Sequence, residues 1–535
     1  MLNKPITDDL RSGFLIFLIA LPLSLGIAIA SSFPPIAGIL AAIIGGIVTP
    51  FFGGSKLTIK GPAAGLIIVI LGAVQELGQG DLALGYRRCL VVGVIAGIFQ
   101  ILISKNKLSR LAYLVPPSVI HGMLAAIGII IIAKQVHILL GVAPHSKTPL
   151  DLIFEVPQSI MSVNPRIAFI GLGTLCTIFL WPLLPSQLSK RVPASLIALF
   201  LVLPLAISWH LDTGNKYIFM HHIYELGPKY LVPVPKNILQ SLTFPDFLAL
   251  KNLVTWKYIL MLTLIGSLES LLTVIAVDSI SPDRKPSDLD KDLFSLGVGN
   301  VLSSLIGGLP MISEVVRSKA NIDAGAKSGT SNFFHGLFLL LAITTIPGVL
   351  HEVPLAALAA MLIITGLRLA SPKEFYKTYR IGSDQLMFFV VTCIMTLATD
   401  LLVGISTGLA LKFALHFYRG LRLKHIFRTP VRIEQLGNEI RISVEGPAVF
   451  TNSIHLSSLI QNSMSQFETI TLDFSGAQLV DHTTLHRIEA LTHQYTRERL
   501  RIIGLEDLAR TSNHSLSTRV GQVKILTADI GSNSS

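Results

Sequence analysis

Two short segments of this chain combine glycine, proline and a helix start in a way that suits the binding of an anion. They read FFGGSKLTIKGPAAG (51–65) and IGGLPMISEVVRSKAN (306–321), and each contains a Gly-Gly turn, a brief β-type run and the start of a helix. A helix start offers unpaired backbone N–H groups and about half a positive charge. Two such starts meeting head-on near the middle of a membrane would hold an anion stripped of its water.

Both segments lie among long apolar stretches, which strengthens this interpretation. Non-helical backbone is tolerated at membrane depth only where it is buried or lines a cavity. A matched pair of Gly/Pro-interrupted segments is typical of the substrate site of a secondary transporter. For the Gly-Pro pair alone, the alternative is a kink in a membrane helix. The residues predicted to bind the anion are Gly61, Pro62, Ala63, Ala64, Ser313, Glu314, Val315 and Arg317.

Two charged side chains of the second segment need an explanation at membrane depth. Arg317 lies one turn inside a helix, where an arginine is costly unless it has a partner or an anion. We predict that it adds positive potential to the site; the alternatives are a structural ion pair or a snorkelling residue at the end of a short helix. Glu314 could simply cap the helix start. At an anion site, however, an ionised Glu314 would repel the substrate.

A third charged side chain, Glu269, lies within a long apolar span four residues before Thr273, so both face one side of a helix. A carboxylate in that setting needs a cation, a proton or an arginine. We predict a coupling role for Glu269, and its alternative is a structural pair with Arg317. Two carboxylates near one site tend to share a proton, so Glu314 or Glu269 is a candidate proton carrier.

The elements that must position these residues are those of a polytopic α-helical membrane protein. Mean hydropathy is +0.64, 51% of residues are hydrophobic and only 14% are charged, which excludes an ordinary soluble domain. Fourteen apolar spans are predicted, each about long enough to cross the hydrocarbon layer. They are Arg11–Ser32, Ile36–Phe52, Leu57–Gln75, Cys89–Ile103, Ser118–Leu139, Ile167–Leu184, Ala194–Trp209, Trp256–Ile280, Leu293–Leu309, Ile312–Ala324, Asn332–Ile346, Pro354–Leu369, Gln385–Thr399 and Leu401–Phe417.

The spans divide as seven plus seven, and the interrupted segment is the third of each half. An odd number of spans per repeat inverts the second copy (about 256–417) relative to the first (about 11–209). The net charge of +11 is attributed to basic cytoplasmic loops rather than to nucleic-acid binding. With Arg87 and Arg88 as the exception, the alternation of loop charges places both termini in the cytoplasm. Basic residues used for this assignment include Lys105, Lys107, Arg110, Lys190, Arg191, Arg284, Lys285, Lys291, Lys319 and Lys327.

After the membrane region (1–425) the composition changes to that of a small α/β domain, predicted at 430–520. Strands are predicted at Ile440–Val444, Ile470–Phe474 and Leu500–Leu505, with a helix at Thr483–Tyr495. The tail at 521–535 is predicted to be disordered. An enzyme is not expected, since the sequence shows no nucleophile–base set, metal cluster or nucleotide-binding loop. Asp278 and Asp292 are interpreted as loop-closing caps.

At these residues the chain resembles the SulP (sulfate permease) family of anion transporters with a C-terminal STAS domain. The resemblance is carried by LPLSLGIAIAS, IKGPAAG, LIGSLESLLTVIAVD, RSKANIDAGAKS and, in the C-terminal part, LDFSGAQLVDHTTL. It implies a seven-plus-seven inverted fold with core and gate domains, a homodimer and elevator-like movement. It also implies that Glu269 and Thr273 correspond to sodium ligands of cation-coupled members, and Asp481 to Thr484 to a phosphorylatable serine segment. Because the usual Asp-Ser-Ser-Gly form is absent, an assembly role is favoured there.

These observations together predict a secondary active transporter of small inorganic anions, of the sulfate or bicarbonate class, in the plasma (inner) membrane. We expect coupling to H+ or Na+ and no other cofactor. The expected partners are the anion, the lipid bilayer, a second copy of the chain and a cytoplasmic partner of the STAS domain, but not nucleic acid. The alternatives are an uncoupled anion exchanger or channel, and a membrane sensor that signals through the STAS domain. The residues do not identify the anion.

Overall fold

The structure is a computed structural model that describes residues 4–109, 114–144, 146, 148–184, 192–233, 242–283, 286–464, 466–494 and 499–521. Residues 522–535 of the predicted tail lie outside the described residues. So do Arg110, Lys190, Arg191, Arg284 and Lys285, which support the predicted topology. The chain divides into two compact units, Met1–Ala112 with Leu124–Ala370, and Tyr113–Met123 with Ser371–Ser535.

Each of the fourteen predicted spans overlaps a helix in the described residues. Seven of the described helices are long and apolar enough to cross a membrane. The helices up to the second interrupted segment are α1 (Lys4–Ala30), α2 (Pro35–Ile47), α3 (Ile67–Gly78), α4 (Leu82–Lys105), α5 (Pro117–Leu139), α6 (Pro149–Met161), α7 (Pro165–Leu180), α8 (Ala194–Ser208), α9 (Leu253–Ile280) and α10 (Leu289–Leu305). Those that follow are α11 (Val315–Asp323), α12 (Thr330–Thr345), α13 (Pro347–His351), α14 (Leu355–Leu369), α15 (Pro372–Ile381), α16 (Ser383–Ala398) and α17 (Leu401–Tyr418).

Helix starts in this region follow local capping chemistry. The side chains of Asp81, Asn252 and Asp288 accept hydrogen bonds from the first backbone N–H groups of α4, α9 and α10. Such caps satisfy donors that a helix cannot pair internally. The span prediction missed three helices: α6 and α15, which are short and contain several polar residues, and the five-residue α13.

The two interrupted segments each begin with a three-residue strand, as their β-type runs predict. Strand β1 is Ile59–Gly61 and strand β4 is Ile312–Glu314, and the two pair antiparallel. A short 3-10 turn (Ala64–Leu66) leads from β1 into α3, whereas α11 follows β4 directly. The predicted third and tenth spans are therefore strand-plus-helix segments rather than continuous helices.

Apolar packing in the first unit joins helices from both halves of the sequence. One buried cluster contains Leu25 of α1, Ile39 of α2, Ile170 of α7, Leu339 of α12 and Leu358 of α14. The predicted external cap at 210–255 contains a hairpin of β2 (Asn215–Phe219) and β3 (His222–Leu226). This packing provides the frame on which β1 and β4 are held.

The second unit contains α15 to α17 and a C-terminal α/β region. Its strands are β5 (Val431–Leu436), β6 (Glu439–Val444), β7 (Pro447–Ala448), β8 (Thr469–Asp473), β9 (Leu479–Val480), β10 (Leu500–Ile503), β11 (Ala509–Arg510) and β12 (Arg519–Val520). They form two four-stranded sheets, ordered β10-β8-β6-β5 and β11-β12-β9-β7. Helices α18 (Ser453–Met464) and α19 (His482–Gln494) accompany them.

The predicted C-terminal strands and helix coincide with elements of this region. β6, β8 and β10 occupy the three predicted strand segments, and α19 the predicted helix, of which Tyr495 lies outside the described residues. β10 and β6 both pair parallel with β8. A buried apolar layer lies between this sheet and the helices. Ile442, Leu472 and Ile460 belong to that layer.

Candidate functional site

The β1–β4 ladder places the two predicted anion-binding segments side by side. Lys60 pairs with Ser313 and Gly61 with Ile312, although each pair is separated by about 250 residues of sequence. Gly61, Pro62, Ala63, Ala64 and Ser313 are all buried. Ladder hydrogen bonds satisfy backbone groups that would be costly to expose at membrane depth. The two helix starts that follow the strands are thereby held together.

Val315 differs from the other predicted site residues. Its side chain is 43% exposed, so it contributes no buried surface to the site. It is the first residue of α11, where the unpaired backbone N–H groups of a helix begin. The structure therefore leaves its main chain, and not its side chain, as the part relevant to an anion.

Arg317 lies at the centre of this arrangement. Its side chain is fully buried, which rules out the predicted snorkelling alternative. Nη2 donates a hydrogen bond to the Pro62 carbonyl oxygen at 3.2 Å, while Nη1 has no acceptor among the described residues. A Cβ atom at Gly61 would come within 2.8 Å of Nη1, so glycine is required for this approach. A buried donor without an acceptor costs roughly 1–3 kcal/mol, and an anion would remove that cost.

Glu314 caps α11, as one of its two sequence interpretations proposed. Its carboxylate oxygen Oε2 accepts a hydrogen bond from the Arg317 backbone N–H at 2.9 Å and lies 4.0 Å from Arg317 Nε. The Glu314 side chain is 16% exposed, in contrast to the fully buried guanidinium. The carboxylate thus lies at the positive end of the helix, close to the arginine.

Glu269 approaches the same site from α9. Its side chain is buried, and Oε1 has no hydrogen-bond partner among the described residues. The carboxylate lies directly against Gly65, where any Cβ atom would collide with it. Glu314 is close enough for its charge to act on Glu269. Thr273, one turn further along α9, is also buried.

The alternative to a coupling role, a structural pair of Glu269 with a basic residue for which Arg317 was the candidate, is not formed with Arg317. No ion pair of 4.0 Å or less joins the two among the described contacts; the carboxylate nearest to Arg317 is that of Glu314. Arg317 Nε and Nη1 and Glu269 Oε1 therefore remain without hydrogen-bond partners among the described residues. That pattern differs from a closed structural network, in which buried polar groups are satisfied.

The sequence analysis missed a buried ion pair beside the site. Lys60 Nζ lies 2.7 Å from Asp292 Oδ1, and the side chains are 2% and 0% exposed. Asp292 also accepts hydrogen bonds from Ser55 N at 3.2 Å and Ser313 Oγ at 3.4 Å. The interpretation of Asp292 as a loop-closing cap was wrong. The available signal was Lys60 itself, since a lysine in an apolar, buried strand requires an acidic partner.

The corresponding interpretation of Asp278 is confirmed. Its carboxylate accepts hydrogen bonds from Ser287 N at 2.7 Å and Ser287 Oγ at 2.6 Å. Both residues lie at the connection between α9 and α10, so this carboxylate closes the connection.

Further polar contacts fix the backbone of β4, and none of them was predicted. Ser270 Oγ on α9 accepts a hydrogen bond from Ser313 N at 3.1 Å. Asn300 on α10 binds both backbone groups of Met311, accepting from N at 2.6 Å and donating to O at 3.2 Å. Ser318 Oγ on α11 accepts from Ile59 N at 2.9 Å. Because three helices hold the ladder, the helix starts have little freedom to separate.

The second unit contains a different charge cluster at the predicted regulatory segment. Lys412 Nζ on α17 lies 3.1 Å from Asp481 Oδ2 and donates a hydrogen bond to Thr483 Oγ1 at 2.9 Å. His416 Nε2 lies 3.3 Å from the same carboxylate oxygen. Burial alone would raise the pKa of Asp481, but Lys412 and His416 hold that pKa well below its usual range. Thr483 and Thr484 are buried in this cluster, so neither hydroxyl is accessible to a kinase.

Comparison with known proteins places these features in a family. The profile of the Sulfate permease family matches residues 6–393. A putative sulfate transporter of Bacillus subtilis, YvdB, is 27% identical over 519 residues, covering 95% of this chain and 93% of its own length. The bicarbonate transporter BicA of Picosynechococcus is 24% identical and covers 76% of this chain and 69% of its own length.

Solved structures share the fold. The transmembrane domain of a cyanobacterial bicarbonate transporter BicA aligns with a TM-score of 0.63 at 25% identity, over 76% of this chain and 98% of that one. The overall structure of SLC26A9 aligns with a TM-score of 0.67 at 14% identity, over 94% of this chain and 84% of that one. The second alignment extends the shared fold into the C-terminal α/β region.

Proposed function

The chain belongs to the sulfate permease family, and from that premise we propose that it is a secondary transporter of small inorganic anions in the plasma membrane. The substrate class that fits its relatives is sulfate or bicarbonate. One observation carries the proposal: Arg317 is fully buried between two helix starts and retains a guanidinium nitrogen without an acceptor among the described residues. An anion would supply the missing acceptor for this buried guanidinium.

The bound anion would be held mainly by backbone donors and by Arg317. Main-chain N–H groups at the starts of α3 and α11 are supplied by Ala63, Ala64, Glu314 and Val315. Pro62 has no N–H, and that of Ser313 is already donated to Ser270 Oγ. Gly61 also lets the guanidinium approach the first segment. Lys60 is neutralised by Asp292 and is not free to join, so Arg317 is the cation of the described site that retains donors for an anion.

Coupling to a cation would use the carboxylates next to this site. Glu269 has an oxygen without a hydrogen-bond partner in the described structure, and Thr273 lies one turn along the same helix. A Na+ ion would take oxygen ligands of this kind, and a proton could occupy Glu269 or Glu314 instead. Either cation offsets the negative charge that these carboxylates would otherwise present to the substrate.

The remaining parts of the proposal concern architecture. Fourteen membrane segments form two inverted seven-span repeats, with core and gate domains that move by an elevator-like shift. The C-terminal α/β region at 430–520 is a STAS domain in the cytoplasm, where both termini lie. A homodimer and a cytoplasmic partner of the STAS domain complete the assembly. The inverted arrangement is supported by the position of β1 and β4 as the third segment of each half.

Uptake by the purified protein in liposomes tests this function. Labelled sulfate and bicarbonate are supplied separately, with imposed Na+ or pH gradients and with a counter-anion inside. Uptake that follows a cation gradient supports coupled transport, and in Glu269→Gln we expect that dependence to disappear while the protein remains folded. Uptake driven only by the counter-anion would show that the protein is an anion exchanger and not a cation-coupled transporter. Absence of uptake of either anion would overturn the proposal.

A further inference from the structure

Glu314 occupies the position where a transported anion would meet α11. We propose that its carboxylate is an internal anion, which must be displaced before the substrate gains the α11 half of the site. The inference rests on the proposed anion-binding function and adds to it the residue that controls access of the substrate. It concerns only the α11 side; the carboxylate that lies against the first segment, at Gly65, is that of Glu269 on α9.

The first step is the competition for donors. Glu314 Oε2 accepts the hydrogen bond of Arg317 N at 2.9 Å, one of the N–H groups at the start of α11. The same oxygen lies 4.0 Å from Arg317 Nε. A carboxylate and an inorganic oxyanion use the same donors, namely N–H groups at a helix start and a guanidinium. They cannot both hold this position.

The second step is that the internal anion only partly satisfies the arginine. The guanidinium is fully buried, Nη2 reaches the Pro62 carbonyl oxygen, and Nη1 and Nε have no hydrogen-bond acceptor among the described residues. A purely structural carboxylate at this depth would be expected to complete the pairing, because breaking or weakening a buried pair is costly. Glu314 instead caps the helix and leaves Nη1 beside Gly61 available.

The third step is access and charge. The Glu314 side chain is 16% exposed, whereas Arg317 is buried completely, so the carboxylate, unlike the guanidinium, borders accessible space into which it can move. The charged groups around it include Arg317 on α11, Glu269 on α9, and the Lys60–Asp292 pair, which is neutral overall. Displacement of Glu314 removes the negative charge nearest to the arginine. The substrate then meets the positive potential of Arg317 and of the helix start.

The test compares wild type with Glu314→Gln in sulfate uptake and in sulfate-dependent thermal stabilisation of the purified protein at pH 7.5. Glutamine keeps a carbonyl oxygen that can accept the Arg317 N–H but removes the charge. In Glu314→Gln the affinity for sulfate should rise roughly tenfold relative to wild type.

A matched control is Asp288→Asn, because Asp288 caps α10 through Asp290 N and Lys291 N with no part in the site. It should retain the wild-type affinity for sulfate. Glu314→Ser, which keeps a capping hydroxyl, serves if the glutamine variant does not fold. Unchanged affinity in both Glu314 variants would overturn the inference and leave Glu314 as a helix cap. A wild type that neither binds nor takes up sulfate or bicarbonate would instead overturn the proposed function.

Discussion

Arg317 and Lys412 are both cations buried in helices of the membrane region, yet their surroundings differ. Lys412 has the Asp481 carboxylate at 3.1 Å, the Thr483 hydroxyl at 2.9 Å and the Phe450 ring at 4.7 Å. Arg317 has one carbonyl oxygen at 3.2 Å and one carboxylate at 4.0 Å. The protein supplies Lys412 with its partners, whereas Arg317 retains N–H donors that could bind an anion.

The difference separates a structural charge from a binding charge. A buried cation with a full set of partners helps to fix the structure around it and has no donor left for a ligand. A buried cation with unused donors destabilises the empty protein slightly and gains when an anion arrives. Lys60, although it belongs to β1, falls in the first class because Asp292 lies 2.7 Å away. Proximity to the site therefore does not by itself make a charge functional.

Replacement of Arg317 should produce the largest effect. We expect Arg317→Gln to lower anion uptake by roughly 100-fold, because removing one partner of a desolvated charge contact costs about 2–5 kcal/mol. Arg317→Lys should recover only part of the activity, since a lysine cannot reproduce the planar guanidinium. Uptake in liposomes and monodispersity in detergent provide the measurements. Normal affinity in Arg317→Gln would contradict the assignment of Arg317 as a binding charge.

Replacement of Lys412 should affect stability and not affinity. In Lys412→Met the buried Asp481 carboxylate loses its cation, which we expect to destabilise the protein by roughly 3–5 kcal/mol. The double variant Lys412→Met with Asp481→Asn should recover a large part of that loss. Thermal unfolding in detergent measures the stability, and the KM for anion uptake should stay at its wild-type value. A changed KM with unchanged stability would show that Lys412 acts on the anion and is not a structural charge.

Lys60 provides the sharper case because it is a paired cation within the site's own ladder. Lys60→Met should destabilise the protein by roughly 3 kcal/mol, near the lower end of the range for a broken buried pair, since Asp292 keeps the hydrogen bonds from Ser55 and Ser313. The variant should be rescued by Asp292→Asn in thermal unfolding. If Lys60→Met changed anion affinity with no loss of stability, Lys60 would belong with Arg317.

The smallest expected effect concerns pH and the second unit. Burial lowers the pKa of His482 from 6.5 to about 4, so the unfolded chain binds a proton that the folded chain excludes. Stability should therefore fall as the pH drops below 6.5, by about 1 kcal/mol between pH 7 and 5.5. Thermal unfolding at these pH values measures it. In His482→Asn the stability should depend less on pH between pH 7 and 5.5. An unchanged pH dependence would mean that another group causes it.

Much of the membrane helix pattern could be predicted from apolar run length alone. Helices such as α4 and α9 are long and apolar, and their predicted spans overlap them. α6 and α15 were missed because they are short and amphipathic, with no long apolar run to mark them. The two short strands β1 and β4 could be predicted from the glycine-bounded β-type runs, but their antiparallel pairing could not.

The contacts of the site were predictable only in part. Arg317 and Glu269 are charged residues within apolar spans, so the sequence predicted that each needs a partner or a ligand. It did not identify that partner. The pairing of Lys60 with Asp292 joins residues more than 200 positions apart, and no local pattern encodes such a partner. Ser270 and Asn300 act on the β4 backbone, and their roles depend on the register of the ladder.

The separation of β1 from β4 has a consequence for biosynthesis. When Ile59–Gly61 leaves the ribosome, its pairing strand is still about 250 residues from being made, a delay on the order of tens of seconds at about 5–20 residues per second. During that interval the backbone groups of β1 must be hydrated, or shielded by the insertion machinery. The pocket is thus assembled late, and a protein truncated before Ile312 would enter the bilayer with an unfinished strand exposed to quality control.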